Sequence, residues 1–584
     1  MIIMPSFTSL PTEVLYQICE VLANEYLPGI SALSLVNKHL HAVASKHRFH
    51  HLKLQISGPA KLAQDVARWS EILERTSAFS SVRRLTFWGE MLTFEDEVDQ
   101  IENDDTEVYG DEYYDDIEQA EEEDELTCVH EYYRSYHDDI VSVRNEAQYW
   151  GSLPDLVQKL IRLDDLVWAC RTLFPSCLLE ALGNGCRLHC VLFKLPSLHY
   201  ADLLEERRAI DPYEYSLATS PKLTRIVMTV SQCYGLGGVE FNGEALFKLL
   251  RLTPNLQDVH IVRRYPHFGS VTPAMRQVMR NPPAWPGFFN EGRRKQHPGL
   301  LPELRCLGLS PANDINYFHR LQRRLAFSKL QILQLWEVSE NIILEAARCS
   351  FPSLSSLSLD PNFDDRRGNQ LRGDQATSAF IRSVSGSLKS IHLSACTTGS
   401  YITLRAVRAI LDAHGHSLEK LSLVGSRSIG EDKFSTVSYL TENHIRDIGL
   451  ACPNLRQLRF PVRREKGAMD EVKIYQALGR HIPQVRDLWL RLDCMMEWKD
   501  NEFQQAQDMM VNIAIDDGLA RSIMETIVTS SPSSSLSCLR IETAREMHTP
   551  RSLSEILDKL DFRWKCLRLY DQARGRFRIV TQRL

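Results

Sequence analysis

Two clusters in this 584-residue chain carry residue types that can hold a metal. His39, His41, His47, His50 and His51 crowd one segment, and Cys186 and Cys190 enclose His189 not far from Cys177. Imidazole and thiolate are ordinary zinc ligands, but a structural zinc site needs two ligand pairs at set spacings, and neither cluster has that pattern. No metal is therefore expected. The run Gly235-Leu236-Gly237-Gly238 is not followed by the Lys-Ser/Thr that a phosphate loop requires. Neither H-E-x-x-H nor G-x-S-x-G occurs. The expectation is a binding protein that is not an enzyme and carries no cofactor.

Composition sets the class. With 43% hydrophobic and 24% charged residues, the chain is globular in character. No apolar run is long enough to span a membrane, so no membrane partner is expected. The opening MIIMPSF lacks the basic flank and apolar core of a secretory signal, and no N-x-S/T acceptor occurs. The 14 cysteines are scattered, which fits the reduced thiols of a cytoplasmic or nuclear protein. Formal charge is −7, yet residues 95–125 hold 18 Asp and Glu and no Lys or Arg, so the rest of the chain carries +11. Like charges at that density oppose compaction, and residues 95–139 are read as an acidic disordered insertion. The body is mildly basic but shows no compact stripe of Arg and Lys, which argues against a nucleic-acid partner.

The elements that organise the chain begin at its N-terminus. Pro11 marks a helix start, and Leu10, Val14, Ile18 and Leu22 recur every four residues, with Leu15 and Val21 widening the stripe. Pro28 and Gly29 break the pattern, and Ile30, Leu33, Val36 and Leu40 restart it, which predicts two short amphipathic helices. So small a unit cannot bury that surface on itself. The motif Leu10-Pro11-x-Glu13-Val14-Leu15-x-x-Ile18-x-x-x-Leu22, then Leu33-Ser34-Leu35-Val36-Asn37-Lys38-x-Leu40, resembles an F-box. The resemblance covers residues 6–52. It implies docking on the Skp adaptor of a cullin–RING ubiquitin ligase, through Leu10, Pro11, Val14, Leu15, Ile18, Leu22, Leu33, Val36 and Leu40.

Beyond it, residues 48–56 alternate like a strand, 60–76 read as a helix and 82–88 as a second strand, so 53–94 form one strand–helix unit. Residues 150–210 read as mostly helical, and 140–220 as a helical linking segment. From residue 221 a phrase recurs: apolar-x-x-apolar-x-apolar. Its instances start at Leu223, Leu256, Leu304, Leu330, Leu354, Leu388, Leu418, Leu455, Val485 and Leu536, between 24 and 51 residues apart. Polar residues fill most gaps, and Pro or Gly stops precede several instances. The pattern resembles the irregular leucine-rich repeats of F-box proteins over 221–541, with insertions at 263–300, rich in Pro, and at 361–374. The segment 542–584 is read as a terminal cap, with a hairpin closing around residues 572–575. The expected fold class is thus α/β: a helical F-box followed by an irregular leucine-rich-repeat solenoid of strand–helix repeats.

In such a repeat the phrase's apolar residues point inward, and strand alternation turns their neighbours to the concave face. That register puts Asp258, His260, Gln334, Trp336, Ser390, His392, Lys420, Ser422, Gln457, Arg459, Asp487, Trp489 and Arg491 on one surface. Asp258, His260, Trp336, His392, Arg459, Asp487, Trp489 and Arg491 are the expected target-binding residues, because Trp and Arg are enriched at binding hot spots. The resemblance implies a substrate-recognition subunit whose F-box holds the Skp subunit, and through it cullin, while the repeats hold an unidentified target protein. The alternative is a repeat scaffold for protein–protein interaction unrelated to ubiquitination, with the N-terminal helices as a cap.

Overall fold

The computed structural model describes residues 10–25, 27–89, 91, 147–170, 172–191, 212–231, 250–264, 303–310, 315–361, 370–394, 404–424, 439–465, 468–494, 502–544, 556–557, 559–560, 562–571 and 576–583. The acidic stretch 95–139, the glycine run 235–238, residues 265–300 of the proline-rich insertion and the 572–575 turn lie outside the described residues. The fold is mixed α/β, in two compact units, Met1–Leu304 and Arg305–Leu584.

The first unit opens with three helices rather than the expected two: α1 (Thr12–Glu25), α2 (Leu27–Ser34) and α3 (Lys38–His47). The Pro11 carbonyl accepts the amides of Val14 and Leu15, which starts α1. Pro28 and Gly29 lie in the first turn of α2 instead of breaking the chain, because the first-turn amides of a helix have no intrahelical acceptor to lose. Asn37 caps α3, its side chain accepting from Leu40 N at 2.8 Å.

Among the described residues six strands follow in this unit: β1 (His51–Ile56), β2 (Arg84–Gly89), β3 (Asp165–Cys170), β4 (Arg187–Cys190), β5 (Leu223–Ser231) and β6 (Asp258–Arg264). They pair in chain order, all parallel. The register aligns Leu52, Leu85, Leu166, Leu188 and Leu223 in one buried row. Helix α4 (Pro59–Arg75) packs at the β1 end of it, burying Leu62, Val66 and Leu73. Strands β3 and β4 correct the helical reading of 150–210. In β3 every residue after Asp165 is buried, on both faces, so the run Leu-Val-Trp-Ala-Cys has no alternation to reveal it. Short helices flank them: α5 (Ala147–Trp150), α6 (Leu153–Lys159), α7 (Ser176–Ala181) and α8 (Pro212–Ala218).

Among the described residues the second unit holds ten strands. Eight are parallel, in chain order: β7 (Cys306–Leu309), β8 (Ile332–Val338), β9 (Ser356–Pro361), β10 (Ser390–Ser394), β11 (Lys420–Val424), β12 (Gln457–Arg463), β13 (Asp487–Asp493) and β14 (Cys538–Ala544). The antiparallel pair β15 (Trp564–Asp571) and β16 (Arg576–Arg583) ends the sheet, as the sequence led us to expect of a closing hairpin. The second apolar position of each phrase falls in register across all eight parallel strands: Leu307, Leu333, Leu357, Ile391, Leu421, Leu458, Leu488 and Leu539. All are buried.

Helices alternate with these strands: α9 (Ile315–Gln322), α10 (Glu340–Ala346), α11 (Gln370–Ser383), α12 (Leu404–His414), α13 (Glu442–Ala451), α14 (Met469–His481), α15 (Glu502–Ile513) and α16 (Asp517–Thr529). The start of α11 shows that part of the 361–374 insertion is helical. Each helix buries a stripe, as α12 does with Ala406, Val407, Ala409, Ile410 and His414. A line of phenylalanines ties successive layers: Phe327 stacks on Phe351 with ring centroids 5.7 Å apart, and Phe351 meets Phe380 edge-on at 6.0 Å. Polar links repeat too. His414 Nε2 donates to the Ile381 carbonyl at 2.9 Å, Asn454 to His416 O at 2.9 Å and Gln484 to Cys452 O at 3.0 Å. Each gives a partner to a carbonyl at or beyond a helix end, where intrahelical donors run out.

Candidate functional site

The N-terminal helices sort their apolar residues into two sets. Leu15, Cys19, Ile30, Leu40, Val43 and Ala44 form a core of their own, with Leu10, Tyr16, Leu22 and Leu33 half-buried around it. Leu15 and Leu40 were expected to face a partner; they are 0% and 1% exposed and pack within the module. Ile18 is half-buried, while Pro11 and Val14 are exposed. The largest exposures are Leu35 at 85% and Val36 at 63%, in the turn between α2 and α3, with Val21 at 52% on α1. Sequence reading missed Leu35 and Val21 as surface residues, because the helical stripe alone does not show which side of the stripe the core takes.

The histidines of this segment do not converge on a metal. His47 is buried with neither ring nitrogen hydrogen-bonded, its ring centroid 4.4 Å from that of His50. Burial pulls both imidazoles down, His50 to about 4, where His47 and Arg83 push the same way. His51 Nε2 instead meets Thr86 Oγ1 at 2.8 Å. In the other cluster His189 bonds Asp165 at 2.9 Å, beside Arg187 at 2.8 Å. Burial would raise Asp165, but those two hydrogen bonds hold its carboxyl below the usual range. Burial pushes the Cys186 thiol up to about 12 and Cys190 higher still, so neither is a ready thiolate ligand. Among the described residues no three His, Cys, Asp or Glu side chains come together to hold a metal ion.

The register expected for the target face holds in part. In β10 to β13 the phrase's apolar residues are buried, and His392, Ser422, Arg459, Trp489 and Arg491 alternate with them, half-buried, with Asp487 exposed. In β8 it fails. Gln334 is 0% and Trp336 3% exposed, so Trp336 is not a surface anchor. Between the pairs Leu335–Leu359 and Val338–Pro361, β8 has one more residue than β9, and Glu337 takes φ 52°. This bulge turns the strand just where Trp336 stands. In the first unit Asp258 and His260 are likewise buried, at 7% and 1%.

What remains exposed enough to meet a ligand is a row on β10 to β14. Parallel pairing sets His392 beside Ser422, Ser422 beside Arg459, Arg459 beside Trp489, and Trp489 beside Arg540. His392 Nδ1 meets Ser422 Oγ at 2.9 Å. The Arg459 guanidinium lies 3.5 Å from the Trp489 ring centroid, and Arg540 reaches to 5.5 Å. Arg459 also spans β13 to pair with Glu542 at 3.0 Å. The Arg459 guanidinium over the Trp489 ring holds it by a cation–π contact, with Arg540 more distant. Arg540 and Glu542 were not among the expected site residues, although one further application of the same register, to Leu539-Arg540-Ile541-Glu542, places them there. Ser422 and His392 form the row's one hydroxyl–imidazole pair; its other described groups offer charge, stacking and hydrogen bonds. No protein-family model matches the chain, and no curated protein matches it.

Proposed function

We propose that this chain is a substrate-recognition subunit of a Skp–cullin–F-box ubiquitin ligase. Residues 6–52 would serve as the F-box, and the strand–helix array as irregular leucine-rich repeats that hold a target protein. The observation that carries the reading is the pair Leu35 and Val36, adjacent and mostly exposed on a module that already has a complete core of its own. Apolar surface that a small unit leaves over after filling its core marks a protein interface. The order of the two motif halves in the sequence supplies the adaptor's identity. On the second unit the Arg459–Trp489–Arg540 row supplies the residue types of a protein-binding hot spot. Such a subunit works without an active site, by raising the target's effective concentration beside the ubiquitin-loaded enzyme.

The test is a pull-down with purified Skp adaptor. Val36→Glu and Leu35→Glu are expected to abolish retention while leaving the melting temperature within about 2 °C, as surface substitutions do. Retention of the adaptor by a chain lacking residues 1–52 would sink the proposal. Target capture without any adaptor binding would leave the scaffold alternative in its place.

A further inference from the structure

Strand β16 is the last in the strand order and pairs only with β15 among the described residues. Which of its backbone groups face the open side follows from one hydrogen bond. Arg568 N donates to Ser537 O on the β14 side at 2.9 Å. Backbone groups alternate between the two neighbours in an antiparallel ladder, so Lys565, Leu567, Leu569 and Asp571 turn theirs toward β16. Their partners Gln582, Val580, Arg578 and Arg576 turn inward. Phe577, Ile579, Thr581 and Arg583 are then left presenting N–H and C=O groups outward, four residues of open ladder.

The side chains along this edge have a definite character. The strand carries Arg576, Arg578 and Arg583 and no carboxylate. Arg578 and Gln582 are exposed on the face opposite α16, and Lys565, on the next strand, shares that face. The other face shows Phe577, 54% exposed, against Tyr570 at 58%, with ring centroids 5.2 Å apart. Arg568 lies 4.2 Å from the Phe577 ring, and Arg583 stacks on Phe562 at 3.4 Å.

We propose that β16 is a docking edge for an extended acidic segment of another protein, added as a further strand of the sheet. Carboxylates at every second position would meet the Arg578 and Lys565 face, and apolar residues between them would meet Phe577 and Ile579. Edge charges commonly serve to keep sheets apart. Here they do so selectively: a second copy of strand β16 would bring three more arginines and no carboxylate of its own, whereas an acidic strand gains both the backbone ladder and cross-strand ion pairs. The docking edge is independent of the ligase reading and stands or falls without it.

The experiment uses the full chain and fluorescence anisotropy with labelled ten-residue probes: alternating Glu–Val, the same composition in two blocks, alternating Lys–Val, and a single-stranded ten-nucleotide RNA. The alternating acidic peptide is expected to bind, and the block and basic peptides not to. Arg578→Glu should weaken it about tenfold, the scale of a cross-strand charge pair turned repulsive. Ile579→Pro removes an outward N–H without touching the β15 ladder, a place where an edge strand tolerates proline, and should abolish binding. Equal binding of the block peptide, no binding of any peptide, tighter binding of the RNA, or indifference to Arg578→Glu in a chain with an unchanged melting curve would each overturn the proposal.

Discussion

Trp336 and Trp489 stand two places apart in the recurring phrase: Trp489 lies between the second and third apolar residues, Trp336 just after the third. That place, and the bulge beside it, sends one indole into the interior and leaves the other half-buried under a guanidinium. Their alanine variants should therefore separate. Trp336→Ala empties a buried site and is expected to cost about 3–5 kcal/mol in urea unfolding. Trp489→Ala loses mainly its stacking on Arg459, about 1 kcal/mol, yet should abolish target capture. Equal losses of stability would contradict this assignment. Histidine gives a second separation. The folded His50 titrates near 4, below the 6.5 of an unfolded imidazole, and His47 is depressed in the same direction. Protonation thus favours the unfolded chain, so the stability present above pH 6.5 is lost as pH falls toward 4. Melting temperatures of the parent and of His50→Gln, measured from pH 7 to pH 4, should converge as the medium acidifies. Parallel curves would show that His50 does not contribute.

At the scale of elements, two glycines show how closely the helices of the second unit stack. A Cβ on Gly449 would sit 2.1 Å from the His481 carbonyl oxygen at the end of α14, and one on Gly479 2.1 Å from that of Ile527 in α16. Neither oxygen can retreat without moving its helix, so Gly479→Ala is expected to destabilise by about 1–3 kcal/mol. Gly518→Ala, whose Cβ would meet only Asp516 Oδ1 at 3.4 Å, should be neutral or slightly stabilising by the same chemical denaturation. The strands that carry the phrase were legible because polar or small residues fill most of its gaps, which in β10 to β13 coincides with alternating burial; β7 and β9, buried on both faces, were found by the phrase alone. Strand β3 was hidden by burial on both faces, and β4 by a length of four residues. The candidate site was legible where alternation persists, at His392, Arg459 and Trp489. It was misread at Trp336, where a one-residue bulge leaves no trace in residue types, and at Asp258 and His260, in a strand buried on both faces from residue 258 to 262.

At the scale of the whole chain, the second unit ends by reversing strand direction. The pair β15–β16 covers β14, whose parallel edge would otherwise lie open beside the apolar face of α16. A chain truncated after residue 544 should therefore self-associate, as uncapped arrays do, and size-exclusion chromatography with light scattering would detect it. A monodisperse monomer would show the hairpin to be dispensable. The unbroken register of the leucine row from β7 to β14 has a further consequence: it makes the sheet a ruler. Strands stand about 4.8 Å apart, so each step across the face moves a bound partner by that amount, and seven steps measure about 34 Å. A helix laid across the strands advances about 1.5 Å per residue, so one strand step takes about 3.2 residues and turns it about 320°, a lag of about 40° per strand. An extended segment takes about one and a half residues per strand and falls out of step at once. For a helical segment offered to this face, deleting one residue between two anchor points would rotate the second anchor by about 100°, off the face altogether.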